Sequence, residues 1–84
     1  MTEFTAEVED IRLESRVAGV ARWQILLSET SFGTGDTGVL EAVAPSGVRL
    51  AVPVLGIAVD GEGKVWHVVE KPLGAGTRVT GRVS

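Results

Sequence analysis

The chain of 84 residues has no cysteine, no tyrosine, a single histidine and a single methionine, and no long apolar run. Each absence removes a class of explanation. Without cysteine there is neither a disulfide framework nor a thiolate metal site, so hydrophobic packing, alone or with a partner subunit, must hold the fold. Without a run of about 18 to 20 apolar residues, no segment reads as a membrane-spanning helix. The aromatic side chains are Trp23, Trp66, Phe4 and Phe32, a poor basis for the stacking platform that binds single-stranded nucleic acid. One histidine with scattered carboxylates is not a set of metal donors, and no serine lies in a recognisable nucleophile motif. The sequence therefore predicts a protein that is not an enzyme and has no cofactor.

Composition then sets the scale. A hydrophobic fraction of 44% with valine and alanine prominent describes a globular chain, expected to be one small domain over residues 1–84. A domain of this size buries only about 60 to 65% of the surface of its unfolded chain and has little core to spare for a deep cleft. Charge is distributed unevenly behind the net value of -3. Acidic residues crowd the first half (Glu3, Glu7, Glu9, Asp10, Glu14, Glu29, Asp36, Glu41), whereas Lys64, Lys71, Arg78 and Arg82 dominate the end. A two-signed surface follows, suited to solubility or to a contact between opposite patches. With a sequence pI near 5.0, nucleic acid is not the expected partner, because phosphate contacts need a basic footprint. The opening MTEFTAEVED is acidic and lacks the positive and apolar regions of a secretory signal, which predicts a cytoplasmic location or membership of a particle.

The clearest local signal is a hairpin. LAVPVLGIAV and KVWHVV flank Asp60-Gly61-Glu62-Gly63, a short polar loop of the kind that reverses an antiparallel pair. With a four-residue loop, Val59 faces Lys64, Ile57 faces Trp66 and Leu55 faces Val68, and this face is expected to be the core. Ala58, Gly56 and Val54 then share the other face with Val65, His67 and Val69. His67 reads there as a strand residue with one hydrogen bond.

Elsewhere the two-residue period of half-buried strands recurs. Phe4, Ala6 and Val8 alternate with Thr5, Glu7 and Glu9; Ile11, Arg12 and Leu13 continue that strand past a kink, and residues 14–19 read as a loop. Ala21, Trp23, Ile25 and Leu27 alternate with Arg22, Gln24 and Ser28, placing Trp23 and Trp66 on apolar faces. A helix over residues 16–28 competes, through the spacing of Val17, Val20 and Ala21, with Gly19 against it. Gly33, Gly35 and Gly38 have the spacing of a dinucleotide-binding turn, but no crossover helix follows before Pro45. They read as a flexible loop between strands, of the kind that carries recognition in small β-domains, with Thr34, Asp36 and Thr37 as candidate contacts. Pro45-Ser46-Gly47 forms a turn between residues 39–43 and 48–52. Pro53 and Gly56 predict a bend that would let a sheet curl into a barrel. Residues 70–76 form another loop, and Thr77, Val79, Gly81 and Val83 alternate with Arg78, Thr80 and Arg82, giving the last strand a basic outer face.

Six or so short strands with regular turns define an all-β domain, a small antiparallel barrel or sandwich. The stretch GDTGVLEAVAPSGVRLAVPVLGIAVDGEGKVWHVVE resembles the β-barrel and membrane-proximal region of periplasmic adaptor (membrane fusion) proteins, which implies protein assembly without catalysis. The segments FTAEVEDI and GAGTRVTGRV are similar to barrel segments of elongation-factor-Tu-type translation factors, which implies RNA contact through the basic end. The residues themselves favour a non-catalytic interaction or structural assembly module, with a protein or a second copy as partner. An incompletely closed sheet offers an edge for that purpose. Its composition is analogous to that of phage structural proteins. An enzyme accessory subunit is the remaining alternative. Lys64, Lys71, Arg78 and Arg82 join the loop residues as candidate contacts.

Overall fold

Alternation beginning at Phe4 produces the longest element of the chain. The computed structural model describes residues 2–43 and 46–84. In it β1 spans Thr2–Val17, β2 Val20–Leu27, β3 Gly38–Val43, β4 Arg49–Val54, β5 Gly56–Val59, β6 Val65–Val69 and β7 Arg78–Val83. The described residues contain no helix, and the stretch 16–28 is extended apart from its turn. Residues 14–17, expected in a loop, instead extend β1, and the reversal is the two-residue turn Ala18-Gly19, with φ of 52° and 80°. Positive φ at both positions gives the turn a twist that matches paired strands.

All seven strands form one antiparallel sheet in the order β4-β3-β7-β1-β2-β6-β5. β1 serves both halves: residues 2–7 pair with β7, whereas Val8 and the residues beyond it pair with β2. Register shifts between Val8 and Asp10 and between Leu13 and Ser15 mark bulges in that second half. The first inserts one residue and so reverses the facing of the strand. That is why the inward phase of Phe4, Ala6 and Val8 resumes at Ile11, opposite Ile25.

The sheet is not closed into a barrel. β4 and β5 are consecutive in the chain, separated by Leu55, yet they occupy opposite ends of the strand order. Each ladders with a single neighbour, β4 with β3 and β5 with β6. β4 approaches β6, but no ladder joins them. The expected bend between Pro53 and Gly56 is the break at Leu55, whose N–H donates to Val68 O at 2.8 Å and so passes the chain from the β3 ladder to β6. The curled sheet encloses one core, to which Val8, Ile25, Leu40, Val52, Val69 and Val79 contribute the most deeply buried apolar side chains. The turn at Pro45 lies outside the described residues, while Gly47 beside it has φ of 88°.

The central hairpin forms in a different register from the expected one. Asp60 N–H donates to Lys64 O at 3.1 Å and Gly63 N–H donates to Asp60 O at 3.0 Å. The loop is therefore three residues, Gly61, Glu62 and Gly63, with Gly63 at φ 80°, the form that adds a left-handed residue after a turn. Val59 now faces Val65, Ala58 faces Trp66 and Ile57 faces His67. A shift of one residue exchanges the faces of a strand. The core face consequently carries His67 and Val69, and Trp66, expected in the core, lies buried on the outer face, outside the core cluster. Trp23 does pack against the core, half-buried.

Candidate interaction surface

Local chemistry already commits most of the polar residues to structure. His67 has no exposed surface. Its Nδ1 lies 2.8 Å from the Ile25 carbonyl, which can only accept, so Nδ1 carries the proton and donates. Nε2 then accepts from the Thr30 hydroxyl at 2.8 Å, and that hydroxyl accepts from Phe32 N–H at 3.0 Å. The Phe32 ring meets His67 edge to face at 5.2 Å and Phe4 at 5.8 Å. Burial lowers the His67 pKa, partly opposed by the Ile25 carbonyl. The neutral imidazole is thus a core strut that ties residues 30–32 to β2 and β6, with two hydrogen bonds instead of one.

The glycine loop is tied down in the same manner. Asp36 Oδ2 accepts from Gly33 N–H at 2.8 Å, and Asp36 N–H donates to the Gly33 carbonyl at 2.9 Å. Thr34 and Thr37 are exposed on this loop, and the Thr37 carbonyl accepts from Ser84 N–H at 3.0 Å. Gly38 is required at its place, since a Cβ would collide with the Arg82 carbonyl and lie 2.9 Å from the Phe32 ring.

The four expected cations do not form one patch. Lys64 and Lys71 sit beyond opposite ends of β6. Arg82 is clasped by Glu3 at 2.9 Å and Glu41 at 3.2 Å, which raise its pKa in that order of importance. The basic outer face of β7 is thereby neutralised at its end by the two strands beside it. Arg78 makes no ion pair among the described residues and is exposed. Across the other half of the sheet, Arg12 lies 3.9 Å over the Trp66 ring and donates to Gln24, whose amide donates to Glu14. Trp66 Nε1–H in turn donates to Asp60 at 3.0 Å. Asp60 also accepts from Glu62 N–H and Lys64 N–H, and these donors, the Trp66 indole first, lower its pKa.

What remains available is apolar surface and backbone. Val17 and Val20 flank the β1–β2 turn at 70% and 50% exposure, and Val43, Val48 and Leu50 are exposed around the β3–β4 turn. Reading residues 14–19 as a loop, and Val43, Val48 and Leu50 as members of strands beside a turn, does not single out either tip. Beside the second tip is a groove of about 620 Å³ lined by Ala42, Val43, Leu50, Leu73, Ala75, Gly76, Thr77 and Arg78. Its far wall is fixed: Gly76 N–H donates to Val8 O at 2.7 Å, Val8 N–H donates to Thr77 O at 2.8 Å, and Leu73 is buried. Arg78 is the single charged side chain lining the groove.

A second hollow, beside Ser28, has Glu7, Glu9, Glu29 and Arg78 in its lining. No three His, Asp or Glu side chains among the described residues converge as a metal site would need. No helix among them is long and apolar enough to cross a membrane. Fold and surface together define an all-β domain with an open, antiparallel sheet. No protein-family model matches the chain, and no curated protein matches it either.

Proposed function

We propose that the chain is a non-catalytic protein-interaction module that associates through the open ends of its sheet, with copies of itself as the first partner. It acts as a component of a larger assembly or particle in the cytoplasm. The observation that carries this reading is the pair of unpaired strands, β4 and β5, each laddered on one side only. Unpaired strand edges are templates for an added strand, and natural proteins ordinarily blunt them. Here Pro53 blunts β4 in part, while the exposed Val59 on β5 and Leu50 on β4 leave both edges apolar. Exposed apolar hairpin tips add surface that association would bury, at about 25 cal/mol per Å².

Two observations weigh against RNA recognition through the last strand. β7 lies inside the sheet between β3 and β1, and Arg82 is already engaged by two carboxylates. The sealed environment of His67 likewise offers no acid or base to a substrate. Absolute mass by light scattering, over a hundredfold range of concentration, tests the proposal. Mass should rise from that of one chain towards a dimer or a higher species, and substitution of Val59 by lysine should suppress the rise. A strict monomer throughout contradicts self-association.

A further inference from the structure

Residues 28–37 join β2 to β3, which are not neighbours in the sheet, so this segment passes from one half of the molecule to the other. Its two ends are fixed by backbone. Ser28 N–H donates to Glu7 O at 2.9 Å, and Thr37 O accepts from Ser84 N–H at 3.0 Å. Between these anchors, among the described residues, 29–36 make no backbone–backbone hydrogen bond to the rest of the chain; the bond from Asp36 N–H to Gly33 O closes a turn within the segment. The bonds of Phe32 N–H to Thr30 and of Gly33 N–H to Asp36 are internal as well. The middle is held by side chains. The Thr30 hydroxyl donates to His67 Nε2 at 2.8 Å, and the buried Phe32 ring meets His67 edge to face at 5.2 Å, with Phe4 beyond it at 5.8 Å. Both attachments converge on one imidazole.

That hold works only while His67 is neutral. Nδ1 already donates to the Ile25 carbonyl, so a second proton goes to Nε2 and turns that acceptor into a donor aimed at the Thr30 hydroxyl. The hydroxyl proton loses its acceptor. The new charge has no exposed surface and no counter-charge beside it. β2 presents Ile25 and β5 presents Ile57 to His67, β4, which approaches β6, turns Val52 and Val54 inward, and the segment supplies Thr30 and Phe32. The charged groups of these elements lie elsewhere: Arg22 and Glu29 are exposed, Asp36 is bonded to Gly33, Asp60 to Trp66 on the outer face, and Arg49 to Glu41. Burial therefore opposes the charge, and only the Ile25 carbonyl favours it. Giving up the two attachments lets water reach the ring at far less cost than unfolding the sheet.

We infer that residues 29–36 are an acid-released strap: protonation of His67 breaks its bond with Thr30 and lets Phe32 leave the core, while Ser28 and Thr37 keep their backbone anchors. The sheet stays laddered. Release uncovers apolar surface around the Phe4 ring and carries Thr34 and Asp36 away from it. In the open state the imidazole returns to its ordinary value of 6.5, above that of the closed state. Opening is therefore favoured as pH falls from 6.5 towards the closed-state value, by up to about tenfold per pH unit.

The test follows amide exchange and the His67 ring signals of the isotope-labelled full chain from about pH 7.5 to about pH 4.5. Exchange at the Phe32 and Gly33 amides, corrected for its intrinsic pH dependence, should accelerate by up to about tenfold per pH unit in step with the His67 titration. Ile25, Leu40 and Val52 should stay protected. His67→Gln should abolish the acceleration. Thr30→Val removes the hydroxyl and keeps the side-chain volume, so it should open the strap roughly two- to tenfold further at neutral pH and shrink the acceleration that acid adds. This variant decides if His67→Gln does not fold. Asp36→Asn should leave the acceleration in place, which separates the imidazole from the carboxylate that ties the turn. Four results would each overturn the strap: protection lost across the whole sheet at once, no acceleration at Phe32 and Gly33 whether or not His67 titrates, acceleration that survives His67→Gln or vanishes in Asp36→Asn, and neutral-pH exchange unchanged in Thr30→Val.

Discussion

β7 and β4 are both six-residue strands on the flanks of β3, and both bury alternate residues towards one end. Their polar groups have different fates. β7 is laddered on both sides, its Arg82 is held by Glu3 and Glu41, and its Gly81 is packed so closely by the Phe4 ring that a Cβ would collide with it. β4 has one ladder, exposed residues at Arg49, Leu50 and Ala51, and Pro53 where the outer edge offers no donor. Interior strands settle stability, because each change there disturbs packing or a satisfied polar group. Rim strands settle association, because their backbone groups have only water to meet.

Substitutions should separate the two roles. Leu40 is fully buried, and Leu40→Ala should cost about 2 to 5 kcal/mol in chemical denaturation. Gly38→Ala, which drives a Cβ into the Arg82 carbonyl at the β3–β7 ladder, should cost about 1 to 3 kcal/mol in the same assay. At His67, burial places the folded pKa below the ordinary imidazole value of 6.5. The unfolded chain therefore binds the proton more readily, and stability rises with pH between the folded pKa and 6.5. The His67 contribution is complete above pH 6.5 and is lost as pH falls below it, at no more than about 1.4 kcal/mol per pH unit. Denaturation midpoints measured across this range should follow that slope, and His67→Gln should flatten it.

Smaller effects belong to the turns and the rim. Ala18 holds a left-handed conformation with φ of 52°, so Ala18→Gly should stabilise by about 0.5 to 1 kcal/mol in thermal unfolding. Val59→Lys, on the free β5 edge, should change stability by less than about 0.5 kcal/mol while lowering the solution mass at high concentration. A rim substitution that unfolds the chain as readily as Leu40→Ala would erase the distinction between the two kinds of strand.

Much of the fold is legible in residue alternation. Phe4, Ala6 and Val8, and again Val79, Gly81 and Val83, announce their inward phase, and Pro53 with Gly56 announces the break. What alternation could not supply is register. Whether the loop is Gly61 to Gly63 or also takes in Asp60 depends on Gly63 adopting a positive φ, and that single residue decides whether His67 or Trp66 faces the core. The first β1 bulge is the kink expected before Ile11, whereas the Ala18-Gly19 turn is easily missed because alanine seldom takes that conformation. Closure into a barrel depends on pairing between β4 and the β5–β6 end, a tertiary matter that no local pattern encodes. Of the candidate contacts, Arg78 alone reaches the groove. Asp36 and Arg82 carry polar groups whose partners are distant in sequence or contributed by backbone, and their commitment is visible only after folding.

Amide hydrogen exchange, followed residue by residue in dilute and in concentrated solution, addresses the open sheet most directly. The outward amides are Arg49 and Ala51 on β4. On β5 they are Ile57 and Val59, because the Asp60–Lys64 bond fixes the alternation there. These four should exchange rapidly in dilute solution and become protected as mass rises, while Leu40 and Val52 stay protected throughout. Protection of the rim amides in dilute monomer, or their continued rapid exchange in the associated species, would contradict association through the strand edges.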